Sequence, residues 1–172
     1  MRFWDTSAIV SLLAIEAPSW KTQELFRQDP KIAFWWGTPV ECVSTLTRVQ
    51  REGQMAELAL QRAWAIFQSL RAGALEIQPD EDIRRSAERL LSKHPLRAGD
   101  SFQLAAALAW REGHPIGASF VTFDRRLKTA ASLEGFRVLP SADEIHEAVL
   151  LDRVVYELRD RSLPYGEPAR QE

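Results

Sequence analysis

The sequence contains a single cysteine, Cys42, among 172 residues. One cysteine cannot form an internal disulfide, and it cannot supply a cluster of thiolate metal ligands. A lone cysteine on an apolar helix face is typical of a small buried side chain, so we assign Cys42 to the core. Chains without disulfides are typical of reducing compartments, and we expect a cytoplasmic protein.

Long hydrophobic runs are also missing. An apolar stretch such as residues 105–110 is far shorter than the roughly 20 residues needed to cross a bilayer. The first residues lack the apolar core and cleavage site of a signal peptide, so we expect the fold to begin at Met1. With 45% hydrophobic and 27% charged residues, the composition is typical of a soluble globular domain and excludes a disordered chain.

The chain has little net charge and few histidines. The formal charge of -2 hides a separation, because acidic residues are concentrated near the tail while arginines and lysines are spread along the body. A near-neutral total therefore does not exclude a nucleic-acid partner. The histidines, His94, His114 and His146, do not have the spacing of zinc ligands on a helix face. We expect them at the surface or at helix ends.

Short apolar segments alternate with amphipathic segments along the chain, which predicts an α/β protein with a mostly parallel sheet. Predicted strands cover residues 2–4, 32–36, 75–77, 119–123 and 136–139. Predicted helices cover residues 7–16, 19–28, 38–53, 56–70, 80–94, 100–113 and 141–161.

Several polar residues are placed to cap these helices. Thr6 or Ser7 can cap the first helix, Thr38 can cap the third with Pro39 in its first turn, and Asp80 can cap the fifth.

Four acidic residues fall where strands end or helices begin. Asp5 follows the first strand, Glu41 lies in the first turn of the helix after the second, and Asp124 follows the strand 119–123. Asp100 comes directly after a glycine and starts a helix. Ligands of open parallel sheets collect at the carboxyl ends of the strands, so we expect these carboxylates to meet there.

Four carboxylates at one edge would repel each other unless a cation neutralised them. Oxygen-only ligands are typical of Mg²⁺ or Mn²⁺ sites, and such an ion can activate water and stabilise the charge of a phosphodiester under attack. The pattern therefore predicts metal-dependent hydrolysis of nucleic acid. For any one of these acids, helix capping is the simpler explanation; the combination favours a site.

The segments around these acids resemble the four motifs of the PIN-domain family, and specifically of the VapC toxins of toxin–antitoxin pairs. The matching segments are WDTSAIV at 4–10, TPVE at 38–41, DSFQLAAA at 100–107 and VTFDRRL at 121–127. The resemblance covers about residues 1–140 and implies a three-layer α/β/α nuclease domain. Residues 141–172 would form a helical extension and tail, packed on the domain or on a partner.

The resemblance also implies roles for individual residues. Asp5, Glu41 and Asp100 would bind Mg²⁺ or Mn²⁺, and Asp124 would complete the site directly or through water. Thr6 and Thr122 would orient the carboxylates and the water, although helix capping and strand propensity also explain these threonines. Members of this family cut RNA endonucleolytically, often transfer or ribosomal RNA, and are silenced by a small cognate antitoxin. We also expect a homodimer.

RNA binding beyond the metal requires positive charge. Arg125, Arg126 and Lys128 follow the fourth motif directly and are our candidates. Two alternatives stay open: a non-catalytic PIN scaffold or binding module, and an aspartate-nucleophile phosphatase. The phosphatase would normally need a second aspartate two residues after the first, where this chain has Ser7.

Overall fold

The structure is a computed structural model that describes residues 1–13, 19–141 and 144. The chain divides into two units, Met1–Pro140 and Ser141–Glu172. Almost all of the predicted helix 141–161 lies outside the described residues, and the account below concerns the first unit.

The described part of this unit alternates strands with helices. The strands are β1 (Arg2–Trp4), β2 (Ile32–Trp35), β3 (Leu75–Ile77), β4 (Ser119–Val121) and β5 (Arg137–Leu139). The helices are α1 (Thr6–Leu12), α2 (Ser19–Gln28), α3 (Thr38–Arg51), α4 (Glu57–Gly73), α5 (Glu81–Lys93), α6 (Ala98–Trp110) and α7 (Arg125–Leu133). The predicted elements are present, with ends that differ by a few residues.

The strands form one sheet in the order β3-β2-β1-β4-β5, and each described pair is parallel. The chain winds outward from β1 to β3 and then crosses back to β4 on the other side of β1. A crevice therefore opens at the carboxyl ends of β1 and β4, where the winding reverses.

Side chains alternate along each strand and build a core on each face of the sheet. Phe3 and Phe120 pack against α5, α6 and α7, and their rings stack with centroids 5.2 Å apart. Trp4 and Val121 point the other way, toward α1 to α4. Each fully buried side chain of this size contributes roughly 1.5–3 kcal/mol of burial free energy. The first unit is the three-layer α/β/α sandwich that the resemblance implies.

Two of the predicted helix caps are wrong. The N-cap of α1 is Asp5, not Thr6 or Ser7, and the N-cap of α3 is Gly37, not Thr38. Thr38 is buried and donates its hydroxyl to Gln103 Oε1 over 3.2 Å, a partner 65 positions away that local rules cannot anticipate. The cap of α5 is confirmed, because Asp80 accepts from the Ile83 backbone N–H over 2.7 Å.

Cys42 follows expectation. Cys42 is buried, and burial first, with the charges of Glu41 and Asp5 adding to it, raises the pKa of its thiol to about 12, so it is an inert core residue. Trp35 is buried, whereas Trp36 is 49% exposed. No helix among the described residues is long and apolar enough to cross a membrane.

His94 connects two helices of one layer. It is the C-cap of α5 and is buried, with Nε2 2.7 Å from Glu134 Oε1 at the end of α7. Lys93 Nζ lies 2.7 Å from the same oxygen. Burial raises the pKa of Glu134, but hydrogen bonds and charges from Lys93 and His94 outweigh it and leave the pKa lowered. His114 Nδ1 donates to the nearby Glu112 carbonyl over 2.8 Å.

Gly37 is required by a close approach between the end of β2 and α3. A methyl group there would lie 2.6 Å from Trp35 Nε1, and the Trp35 ring is held in a stack on Phe102. We expect Gly37→Ala to lower the free energy of unfolding in urea by about 1–3 kcal/mol, because the indole must leave its position.

Gly73→Ala is the matched control. A methyl group at Gly73, the last residue of α4, would have no neighbour within 4 Å in the described structure. This change should raise the free energy of unfolding by about 0.4–1 kcal/mol by restricting the unfolded chain. Equal stability of the two variants would contradict the packing at Gly37.

Candidate active site

The four predicted acids line one cavity of about 270 Å³ at the carboxyl edge of the sheet. Each reaches it from the start of a helix that follows a strand or a crossover: α1, α3, α6 and α7. The walls of the cavity are formed by Asp5, Thr6, Ser7, Val10, Glu41, Thr45, Arg48, Asp100, Gln103 and Asp124.

Asp5 lies deepest, at the end of β1, and only 4% of it is exposed. Its carboxylate accepts from the Ala8 N–H over 2.9 Å, from Ser7 Oγ over 2.8 Å and from Thr122 Oγ1 over 2.8 Å. Burial raises the pKa of Asp5 to about 6, because these hydrogen bonds offset only part of the lost hydration. A cation bound nearby would stabilise the charged form of Asp5.

Ser7 and Thr122 join the ends of β1 and β4. Ser7 Oγ accepts from the Phe123 N–H over 2.8 Å, and Thr122 Oγ1 accepts from the Asp124 N–H over 3.1 Å. Both hydroxyls also donate to Asp5. The predicted strand 119–123 stops at Val121 because the backbone after it turns to these side chains.

Glu41 lies in the first turn of α3. Its Oε2 accepts from Thr6 Oγ1 and, over 3.1 Å, from Gln103 Nε2. Its Oε1 lies beside the start of α6, where a methyl group on Gly99 would be 3.3 Å away. The absence of a side chain at Gly99 therefore lets α6 approach the carboxylate.

Asp100 and Asp124 occupy the first turn of α6 and the N-cap of α7. Asp100 accepts from the Arg97 N–H over 3.2 Å, and Asp124 accepts from the Leu127 N–H over 2.9 Å. Burial raises the pKa of Asp100, and the charge of Asp124 raises it further, against the hydrogen bond from Arg97 and the charges of Arg97 and Arg126. The two carboxylates are thus close enough to repel each other.

The same acids stabilise the N-termini of helices and line the cavity. Asp5 and Asp124 cap helices and Asp100 completes a first turn, as the simpler explanation requires, yet all three also face the cavity.

The donor set fits a hard divalent cation, because carboxylate, hydroxyl and amide oxygens line the cavity. As the side chains stand, however, no three Asp, Glu, His or Cys residues of the described structure are grouped closely enough to hold a metal ion. The donor chemistry still fits, because carboxylates on a cavity wall can turn inward when a cation offsets their repulsion.

Sequence reasoning did not select four of the polar residues that line the cavity: Ser7, Thr45, Arg48 and Gln103. Helical spacing could have found three of them. Thr45 and Arg48 follow Glu41 by four and seven positions on α3, and Gln103 follows Asp100 by three on α6, so each shares a helix face with an acid.

The basic candidates flank the cavity on α7. Arg125 and Arg126 are exposed, and the charge of Arg126 acts on Asp100. Lys128 is partly buried, lies 5.6 Å from the Phe123 ring centroid and donates to the Pro140 carbonyl over 3.1 Å. Its structural contacts make it the weakest of the three candidates for RNA binding.

Comparison with known protein families agrees with this parallel sheet and the carboxylates at its switch point. The model described as "PIN domain" matches residues 2–133, well over half of the chain. The protein belongs to the PIN-domain family.

Two named relatives indicate the type of PIN-domain protein. The chain is 30% identical over 140 residues to Ribonuclease VapC45 and to Ribonuclease VapC49 from two strains of Mycobacterium tuberculosis, covering 81% of this chain and 94% of each relative. It is thus of the VapC type of PIN-domain ribonuclease.

Solved structures share the fold at lower identity. VapC20 of M. tuberculosis, described as a toxin that cleaves the sarcin-ricin loop, matches with a TM-score of 0.56 and 20% identity over 80% of this chain and 97% of its own. A Pyrobaculum aerophilum protein matches with a TM-score of 0.57 and 18% identity, covering 88% and 96%. A toxin–antitoxin complex from Klebsiella pneumoniae matches with a TM-score of 0.52 and 15% identity, covering 72% and 87%.

The buried charge of Asp5 predicts a pH-dependent stability difference in metal-free protein. The pKa rises from 3.8 in a model aspartate to about 6 in the folded state, so the folded state holds the proton more tightly. Stability from this group is therefore lost as pH rises between these values and stays lost above about 6. Asp5→Asn removes the charge and should gain on the order of 1–3 kcal/mol over wild type above pH 6, and almost nothing below pH 4.

Urea unfolding with chelator across pH 4–8 measures this difference. Asp82→Asn, which changes an aspartate with an 88% exposed side chain on α5, should follow wild type at each pH. A difference curve for Asp5→Asn that is flat with pH would show that the Asp5 carboxylate is not destabilised by burial.

Proposed function

We propose that the protein is a metal-dependent endoribonuclease and the toxin of a toxin–antitoxin pair. The observation that carries this proposal is the gathering of Asp5, Glu41, Asp100 and Asp124 around one cavity at the switch point of the sheet. The VapC-type relatives supply the substrate class, because their names describe ribonucleases.

Asp5, Glu41, Asp100 and Asp124 would hold Mg²⁺ or Mn²⁺. A bound divalent cation supplies Lewis acidity, lowering the pKa of a water and neutralising charge on the phosphodiester. Asp5 suits the deepest ligand position, because its carboxylate is fixed by donors from α1 and from the end of β4. Asp100 and Asp124 repel each other across the cavity wall, and a cation between them would relieve that repulsion.

The remaining residues would orient the acids and the substrate. Thr6 and Thr122 donate to Glu41 and Asp5, which fixes the carboxylate planes. Arg48 on the cavity wall and the exposed Arg125 and Arg126 would contact phosphates of the RNA. These contacts hold the backbone of the RNA without reading its bases.

The partners follow from the same relatives. We propose a small cognate antitoxin as regulator, since one structural neighbour is described as a toxin–antitoxin complex. A homodimer and a cytoplasmic location complete the proposal, the latter because a free buried Cys42 and an RNA substrate suit a reducing compartment.

The two alternatives have less support. A non-catalytic scaffold would not need four acids around one cavity. For a phosphatase, Ser7 replaces the second aspartate and instead donates to Asp5, whose carboxylate is buried and engaged by donors.

The first test is digestion of total cellular RNA by purified, antitoxin-free protein. We expect discrete fragments with Mg²⁺ or Mn²⁺, none with chelator, and a loss of about 10²-fold or more in rate for Asp100→Asn, because a ligand charge is removed while shape is kept. Asp5→Asn should behave in the same way.

Asp82→Asn is the control, since this exposed aspartate is paired with Arg85 outside the cavity. It should cut like wild type. Folded wild-type protein that cuts no RNA with either metal would favour the scaffold alternative.

Arg126→Ala tests the phosphate contacts. We expect a higher KM for RNA and a shallower dependence of binding on salt, by about 0.7 in the slope of log K against log salt concentration for one contact to a single strand. Arg62→Ala, an exposed arginine of α4, should leave both quantities unchanged. An unchanged salt slope for Arg126→Ala would remove this residue from the RNA interface.

A further inference from the structure

Gln103 is a buried carboxamide at the centre of the polar contacts around Glu41. Only 2% of the residue is exposed, although it belongs to a helix that otherwise turns alanine and leucine side chains to the core. A primary amide in such a place must find partners for its two N–H groups and its carbonyl, or its burial would be costly. The sequence motif around Asp100 gives this residue no role.

The partners of Gln103 come from two other helices, α1 and α3. Its Nε2 lies 2.9 Å from Thr6 Oγ1, 3.0 Å from Thr38 Oγ1 and 3.1 Å from Glu41 Oε2, so more acceptors than N–H groups surround it. Its Oε1 accepts from the Thr38 hydroxyl over 3.2 Å. This arrangement orients the amide, because a flipped carboxamide would place its oxygen against the Glu41 carboxylate.

These contacts act on one oxygen of Glu41 only. Oε2 receives the hydrogen bonds from Gln103 and Thr6, whereas Oε1 is directed to the start of α6, beside Gly99. Asp100 is the next residue along α6. One oxygen is thus occupied by neutral donors, and the other lies beside the start of the helix that carries Asp100.

We propose that Gln103 is a positioning residue: it fixes the carboxylate of Glu41 so that Oε1 is offered to the divalent cation. This inference rests on the proposed metal-dependent activity, and it assigns a function to a side chain that does not itself bind the ion. Without the amide, Glu41 would keep only the Thr6 hydroxyl and could rotate away from the cation. Metal affinity and turnover would then fall, while RNA binding, which depends on the basic residues, would remain.

The test uses Gln103→Met, which keeps the length and approximate volume of the side chain and removes its hydrogen bonds. Mn²⁺ binding is measured by calorimetry without RNA, and kcat and KM on a labelled RNA oligonucleotide that carries a site mapped in the wild-type digest. We expect Mn²⁺ affinity to fall about 10- to 100-fold and kcat to fall at least about tenfold, as is usual when the support of a metal ligand is lost. KM for RNA should stay within about twofold, because no phosphate contact changes.

A second variant and a control separate positioning from general stability. Gln103→Glu keeps the shape but places a carboxylate against Glu41, so we expect an equal or greater loss of Mn²⁺ affinity. Thr22→Val removes a different buried hydrogen bond, the 2.8 Å contact with Ser11, and should lower Tm without changing Mn²⁺ affinity.

The possible outcomes distinguish a failure of this inference from a failure of the proposed function. If wild type binds Mn²⁺ and cuts RNA but Gln103→Met does both equally well, the inference is wrong and the nuclease stands. If wild type binds Mn²⁺ without cutting RNA, the affinity comparison still tests Gln103 while the proposed function fails. Wild-type protein that binds no Mn²⁺ overturns both. A variant that loses only Tm makes Gln103 a structural residue.

Discussion

The carboxylate of Asp5 is buried at the end of the central strand, and its need for donors sets the arrangement around it. Asp5 can accept from the Ala8 N–H because α1 begins directly after β1. It can accept from the Thr122 hydroxyl because the end of β4 lies beside β1. The crevice at the reversal of the sheet thus has a negative group at its base, held in place from both neighbouring segments. These hydrogen bonds fix the position of the carboxylate but compensate only part of its lost hydration, so the pKa of Asp5 stays raised.

The other acids lie nearer to solvent, and their hydrogen bonds also leave part of their charge uncompensated. Asp124 and Asp100 stabilise the first turns of their helices through backbone N–H groups, and in doing so come close enough to repel each other. A helix N-terminus carries a partial positive charge that favours an anion, so capping lowers the cost of collecting acids in one cavity. Local structure and the proposed chemistry therefore require the same residue types at the same positions.

Local patterns predict what depends on near neighbours. The strands Arg2–Trp4 and Leu75–Ile77 and the helix Ser19–Gln28 follow from apolar periodicity, and the order of the acids relative to strands predicts a shared edge. The cap of α1 is a local contact, from the Ala8 N–H to Asp5, that we assigned to the wrong residue from the sequence. The role of Thr38 could not be predicted, because its partner Gln103 lies 65 positions away. His94 is buried for the same reason, since Glu134 is 40 residues further along.

The hydrogen bond between Thr122 and Asp5 joins residues that are 117 positions apart. Asp124, the last of the four acids, is likewise synthesised after most of the domain. A chain that is still growing on the ribosome carries the first two acids without the segment that orients and completes them. The acidic cavity is therefore assembled only after the domain is complete, and a prematurely terminated product lacks it.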